Sequence, residues 1–160
     1  MATGPLVGVR VLEFGQIIAA PLGCQLLADL GAEVIKVEPI EGEPWRFNAP
    51  FAPGESKAYQ ELNRGKRSLA IDLASVDGQD AIHRIVASMI DVVVINYRPD
   101  IAERFCIDYD SLSKLRSGLI YVDSTAFGRK GELAERPGYD IVVQAVSGIL
   151  GSLPLVNASG

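Results

Sequence analysis

The chain has 160 residues, 48% hydrophobic and 22% charged, with a net charge of −5 at pH 7. This is a one-domain length with ordinary globular composition, and the acidic balance excludes general nucleic-acid binding. MATGPLVG lacks the basic start and apolar core of a signal peptide, no stretch reaches the roughly 18 apolar residues of a membrane span, and Cys24 and Cys106 lack metal-type spacing, so a cytoplasmic, reducing compartment is expected.

Taken in order, the chain opens on a βαβ pattern over residues 9–38. Val9, Val11, Leu12 and Phe14 form an apolar strand that stops at Gly15. Pro21 suits the first turn of a helix, where a missing N–H costs nothing. Leu22, Leu26, Leu27 and Leu30 recur at helical spacing, and Gly31 fits just past the helix end. Val34, Ile35 and Val37 make a second strand, closed by Pro39. Such a unit requires a parallel pair, and ligands bind beyond the carboxyl ends of its strands. The loop Gly15–Ala20 is therefore the first place to look for a site.

Residues 39–62, rich in Pro, Gly and charge, read as a long irregular loop, with a short helical turn at Tyr59–Leu62; loops of this length in compact domains are usually functional. A third strand is expected over Leu69–Leu73. The next helix can be capped by Ser75 or Asp77 and buries Ala81, Ile82, Ile85, Val86 and Met89. The run VVVI after Asp91 suits a parallel strand covered on both faces. Short helices are expected over Pro99–Phe105 and Tyr109–Arg116, the latter with Leu112 and Leu115 inward. Leu119–Val122 is the fifth strand. Ser124–Arg136 is a loop, and Pro137 opens a final helix with Ile141, Val142, Ala145, Val146 and Ile149 apolar. Residues 151–160 carry no clear element. The alternation gives an α/β fold: a Rossmann-like, mainly parallel sheet with helices on both faces.

Several stretches carry chemistry. Glu38, ending the second strand, stands where an NAD ribose would be held, but GQIIAAPLG lacks two of the three glycines of G-x-G-x-x-G. NRGKRS (63–68) could grip phosphate or be a solvated basic turn. NYRP (96–99) follows a buried strand at the ligand-binding edge. There Asn96 offers an amide, Tyr97 a stacking face and Arg98 a planar cation, with Arg104 two helical turns on. The alternative is a strand-end cap beside a surface arginine. His83 has no nucleophile or acid arranged around it, and Asp140 suits a helix's first turn by charge alone. No P-loop, H-E-x-x-H or G-x-S-x-G occurs.

Six segments together resemble the class III CoA-transferases, which include formyl-CoA transferase, carnitine CoA-transferase and the α-methylacyl-CoA racemases. They are PLVGVRVLEFG (5–15), LADLGAEVIKVE (27–38), NRGKRS (63–68), DVVVINYRP (91–99), LIYVDSTAFG (119–128) and RPGYDIVVQAVSGIL (136–150), in family order over nearly the whole chain. The resemblance implies a Rossmann-like large domain with an inserted small domain, and two full-length chains interlocked as a homodimer. The implied activity is CoA transfer between an acyl-CoA and a carboxylic acid. CoA and its esters are substrates, and neither a tightly bound cofactor nor a metal is implied. In the transferases an aspartate attacks the thioester and forms a mixed anhydride.

Carried over, Asn96, Tyr97, Arg98 and Arg104 match CoA contacts. Ile71, Asp72, Leu73 and Ala74 lie where the nucleotide is held, although their side chains differ. Arg136, Pro137, Gly138 and Tyr139 match a further CoA-contacting turn. Ile18 and Ala19 stand where formyl-CoA transferase has glutamine and serine, which argues against oxalate/formate specificity. Tyr139 replaces the racemase histidine, so racemase activity is not implied. The transferase aspartate is expected about nine residues past Gly160, on the alignment of the family pattern. No residue here is assigned as catalytic. The chain thus reads as the N-terminal, CoA-binding part of a family large domain, with 151–160 a divergent tail. The alternatives are a non-catalytic remnant or interaction module, and an NAD-binding Rossmann domain.

Overall fold

The apolar stretches pair into one sheet. The structure, a computed structural model, describes residues 3–48, 50–52 and 55–152. The chain divides into two compact units, Met1–Ser124 and Thr125–Gly160.

In the first unit, β1 (Arg10–Phe14), α1 (Ala19–Asp29) and β2 (Glu33–Glu38) form the expected βαβ unit. A 3-10 turn (Pro44–Phe47), a small hairpin of β3 (Pro50–Ala52) and β4 (Glu55–Ser56), and α2 (Lys57–Asn63) follow. Then come β5 (Arg67–Ala70), α3 (Val76–Met89), β6 (Val92–Ile95), α4 (Pro99–Arg104), α5 (Tyr109–Leu112) and β7 (Ile120–Asp123). The main sheet runs β5-β2-β1-β6-β7, every pair parallel. Val11 lies beside Val34 on one side and Val92 on the other. The chain starts in the middle, builds outward one way, then crosses back. The order of strands reverses between β1 and β6, which opens a crevice outside their carboxyl ends.

Both faces of the central strands β2, β1 and β6 are covered, whereas the edge strands β5 and β7 are largely exposed. On one face Leu12, Phe14, Val37, Val93 and Ile95 pack with Ile82 and Val86 of α3, Ala102 of α4 and Leu112 of α5. On the other, Val11, Val34 and Val94 meet Ala20 and Cys24 of α1. The leucines that announce α1 in the sequence point away from this contact: Leu22, Leu26 and Leu30 are exposed, and α1 buries Ala20, Pro21, Cys24 and Gln25 instead. Small residues let the helix approach the sheet closely.

Four local expectations shift. The 39–62 segment, read as an irregular loop, holds the 3-10 turn, the hairpin and most of α2; Ser56 caps α2 by accepting from the Tyr59 N–H. The third strand sits at 67–70 rather than 69–73. Pairing with β2 ends at Ala70, and Asp72 then turns the chain by accepting from the Ala74 N–H at 2.9 Å. The helix expected over 109–116 is a single turn: Asp108 caps it, Leu112 is buried, and Leu115 stays exposed ahead of Gly118, whose φ is +80°.

In the second unit, the final helix is two pieces, α6 (Asp140–Val146) and α7 (Ile149–Ser152). Gly148 separates them at φ +82°, which no α-helix can contain. The helix starts at Asp140 rather than Pro137 because Tyr139 is extended. Of the expected tail 151–160, residues 153–160 lie outside the described residues. No described helix is long and apolar enough to cross a membrane.

Gly78 in the first turn of α3 offers a direct test of this packing. A Cβ there would stand 2.0 Å from the Asp72 carbonyl oxygen and 2.9 Å from the capping Ser75 Oγ. Gly78→Ala is expected to destabilise the chain by about 2 kcal/mol, read as a lower urea midpoint with an unchanged slope.

Candidate functional site

Alternation along β1 and β2 decides what lies under the crevice. Glu13 shares its face with Val11, and Lys36 and Glu38 share theirs with Val34. That face is therefore apolar towards the strand starts and charged towards the carboxyl ends. Glu13, Lys36, Glu38 and Glu43 are all at most 2% exposed.

The charges are joined into a network. Lys36 Nζ lies 3.1 Å from Glu13 Oε1 and 3.1 Å from Glu43 Oε2. It also donates to the Gly15 carbonyl at 2.7 Å. Lys66 Nζ pairs with Glu13 Oε2 at 2.7 Å and donates to the Pro21 carbonyl and Asn63 Oδ1. Burial pushes the Lys66 ammonium down against the pull of Glu13. Beside it, burial first and Glu13 second push the Cys24 thiol up to about 12, so Cys24 is an inert core residue.

Glu38 is the hub of the outer half. Arg46 grips it in two places, at 2.7 Å each. Tyr59 Oη and Ser68 Oγ donate to Oε1 at 2.9 and 2.8 Å, and the Glu43 N–H donates to Oε2. Burial alone would raise this carboxyl; the bonds from Arg46, Ser68, Tyr59 and Glu43 outweigh it and bring it down to about 2. Both oxygens are spent, so Glu38 is not free to hold a ribose.

Above the network lies the β1–α1 loop. Asn96, at the end of β6, accepts from the Gln16 N–H at 3.1 Å and donates to the Gln16 carbonyl at 2.9 Å. Ile17 adopts φ +69°, a left-handed conformation that costs a β-branched residue about 1–3 kcal/mol. Ile18 and Ala19 follow, both exposed, at an α1 start that no side chain caps.

The remaining sequence candidates fall into three groups. Asn96, Tyr97 and Arg98 come together with the β1–α1 loop at the switch point. Tyr97 packs against the core and meets the Gln16 side chain. Arg98 is exposed and bonded through Nε and Nη2 to Asp100 at 2.9 and 2.8 Å. Exposed Arg104, at the end of α4, lays its guanidinium 4.8 Å from the Phe105 ring centre. Ile71, Asp72, Leu73 and Ala74 leave β5, three strand spacings or roughly 14 Å from β6. Arg136, Pro137, Gly138 and Tyr139 belong to the second unit, where a Cβ on Gly138 would meet Ala126 Cβ at 2.3 Å. The cations of NRGKRS are occupied within the chain: Arg64 on Asp29, Lys66 on Glu13, Arg67 on Glu33.

The CoA-transferase family III model matches residues 6–153. The chain belongs to this family. It is 41% identical to a succinate–glutarate CoA-transferase of Agrobacterium fabrum over 91% of this chain, and 40% identical to a probable fatty acyl-CoA transferase of Mycobacterium tuberculosis over 94%. Among solved structures, a CaiB/BaiF family protein of Brucella suis superposes with a TM-score of 0.84 at 40% identity, covering 91% of this chain and 40% of its own. A Mycobacterium tuberculosis protein gives 0.87 at 38% identity, covering 100% and 44%. The chain spans 38–39% of the length of those two curated relatives. As a family III chain, it carries the six quoted segments within one continuous match, and the parallel α/β fold agrees with that of its structural relatives.

Sequence reasoning missed Glu13, Lys36, Glu43 and Arg46, and the burial of Lys66 against Glu13. A signal for the first two was present: charges at interior positions of central parallel strands must be buried, and buried charges must be paired.

The network sets an acid limit on stability. Glu38 is depressed from 4.5 to about 2. Its contribution is full above pH 4.5 and is lost as pH falls towards 2, up to about 3 kcal/mol. Glu43, raised by burial, works the other way and offsets part of this. Melting temperature is therefore expected to fall across that window, and Glu38→Gln should flatten the acid limb while lowering stability at pH 7.

Proposed function

We propose that this chain is the CoA-ester-binding part of an acyl-CoA:carboxylate CoA-transferase. The reading rests on one juxtaposition: in a family III chain, the switch-point crevice is bounded by an uncapped helix start at Ile18 and Ala19 on one side and by Asn96, Tyr97 and Arg98 on the other. An uncapped helix start offers N–H groups to a carbonyl oxygen or an anion, and exposed arginines suit phosphates. Arg98 is held by Asp100 in an exposed pair of the kind worth about 0–1 kcal/mol, so a phosphate can replace that carboxylate at little cost. Arg104 supplies a second cation. Ile71–Ala74, several strands away, suit the nucleotide end of an elongated ligand.

In the transfer, a carboxylate oxygen bonds to the thioester carbonyl carbon, the C–S bond breaks, and CoA leaves as the thiolate, giving a mixed anhydride. We assign that carboxylate to sequence beyond residue 160. Glu13, Glu38 and Glu43 are buried and committed to the network, and Asp140 accepts from Gln144. The chain's part is then to bind and orient the ester. A carboxylic acid is the second substrate, and a homodimer is the assembly proposed for a full-length protein.

Calorimetric titration with CoA tests the reading. CoA is expected to bind and to raise the melting temperature. Arg98→Ala with Arg104→Ala should weaken CoA by about tenfold or more, yet leave pantetheine, which lacks the phosphates, unaffected. Absence of any CoA effect on the unaltered chain would overturn it, and NADH binding in its place would favour an oxidoreductase.

A further inference from the structure

Strands β1 and β6 part just beyond Phe14 and Ile95, the last pair in their register. β1 leads into α1, which packs on one face of the sheet, and β6 leads into α4, which packs on the other. One further backbone bond crosses between them, from the Asn96 N–H to the Phe14 carbonyl. In a parallel ladder the next rung would carry the Gln16 N–H to the main-chain carbonyl of Asn96. That N–H goes instead to Oδ1 of the Asn96 side chain at 3.1 Å, and Nδ2 donates back to the Gln16 carbonyl at 2.9 Å. The side-chain amide thus extends the ladder by one rung, while the main chain goes on to Arg98 and Pro99 at the start of α4.

The chemistry of this contact selects asparagine. Gln16 presents one backbone donor and one backbone acceptor, and a carboxamide answers with one acceptor and one donor in a single plane. A carboxylate of the same shape has acceptors only, and would set one of them against the Gln16 carbonyl. Glutamine would push the amide out by a methylene. The loop is held from its other side as well. Lys36 Nζ donates to the Gly15 carbonyl at 2.7 Å, and a Cβ on Gly15 would stand 2.7 Å from that of Ala20 and 2.8 Å from Glu13 Oε1. Next comes Ile17 at φ +69°, a conformation a β-branched residue keeps only where its surroundings over-determine it. With Gly15 and Gln16 pinned, the direction in which the chain enters α1 is set.

We propose that Asn96 serves the ligand through Gln16 rather than by touching it. It is a positioning residue that holds the β1–α1 loop one side chain's length from β6, and so places Ile18 and Ala19 at the start of α1. Its link to ligand rests on the CoA-ester reading; its hold on the loop does not. Both polar atoms of its side chain are engaged before any ligand arrives. Losing them releases the loop in the free chain, and affinity falls with the fraction of molecules still competent. A loss of that kind appears in the association rate. Loss of a direct ligand contact appears in dissociation, as most affinity changes do.

The test uses the 160-residue chain with Asn96→Ala and with Asn96→Asp, which keeps the native shape. Amide hydrogen exchange at Gln16 is compared with that at Leu12 in the middle of β1, and acetyl-CoA is the probe in stopped-flow binding. Both variants are expected to speed exchange at Gln16 but not at Leu12. Both should weaken acetyl-CoA by about tenfold, the worth of one or two ordinary hydrogen bonds, through slower association with dissociation unchanged. A merely packing role would be preserved by Asn96→Asp. Unchanged exchange at Gln16, an Asn96→Asp chain that binds like the unaltered one, or an affinity loss carried by dissociation overturns the proposal. Should Asn96→Ala fail to fold, Asn96→Asp decides by the same readings. If the unaltered chain binds no acetyl-CoA, the CoA-ester reading fails; faster exchange at Gln16 then upholds the hold on the loop, and unchanged exchange overturns it.

Discussion

The pairing of Glu13 with Lys36 and Lys66 is the constraint on which the rest of the first unit depends. Three charges are placed in the middle of a protein, between a sheet and a helix. Each costs several kcal/mol to take out of water, and loss of one partner typically costs about 3–5 kcal/mol. A wholly apolar filling could be equally stable. What the ions provide is direction. Lys36 reaches past Glu13 to the Gly15 carbonyl, and Lys66 reaches the Pro21 carbonyl. Both ends of the β1–α1 loop are thereby tied to charges that cannot move without leaving another unpaired.

The site grows out of that arrangement. Parallel strands put their carboxyl ends at one edge, and the reversal of strand order leaves a gap there. A loop in the gap would ordinarily be free to choose among conformations. Here Lys36 and Asn96 settle it, from below and from the neighbouring strand. The exposed side chains that follow the loop, Ile18 and Ala19, are apolar. The polar groups that shape the loop are mostly hidden beneath it, and the exposed cation Arg98 follows β6 at the same edge.

Most of the fold was legible in the sequence because it depends on apolar periodicity and on breakers. The five strands, the first βαβ unit and α3 follow from runs such as VVVI and from Gly15, Gly31 and Pro39. Legibility stopped where a residue's role depends on distant partners. Nothing local shows that Glu13 lies beside Lys36 and Lys66, and NRGKRS alone stays open between a phosphate grip and a solvated turn. Leu22, Leu26 and Leu30 mark a helix correctly but face outward, since Ala20 and Cys24 give the closer contact to the sheet. The 39–62 segment is rich in Pro, Gly and charge and reads as irregular; its order comes from Arg46 and Tyr59 converging on Glu38, a contact no local pattern encodes. Asn96 shows the limit within the site. As a strand-end amide it was open to two readings, and both of its polar atoms are found on Gln16.

The network also bears on how the chain is made. Synthesis delivers β1, α1 and β2 first, with Glu13 and Glu38 already among them. Lys66, Arg46 and Ser68 emerge later. Until they do, packing α1 against the sheet would bury Glu13 with Lys36 but without Lys66, and Glu38 without Arg46. The nascent βαβ unit therefore has reason to stay open at its carboxyl end until β5 has left the ribosome. The order of the strands in the sheet fits this: β5 docks beside β2 and closes the outer charges in one step. Closure of the charged end of the βαβ unit thus calls on side chains as far along the chain as Ser68.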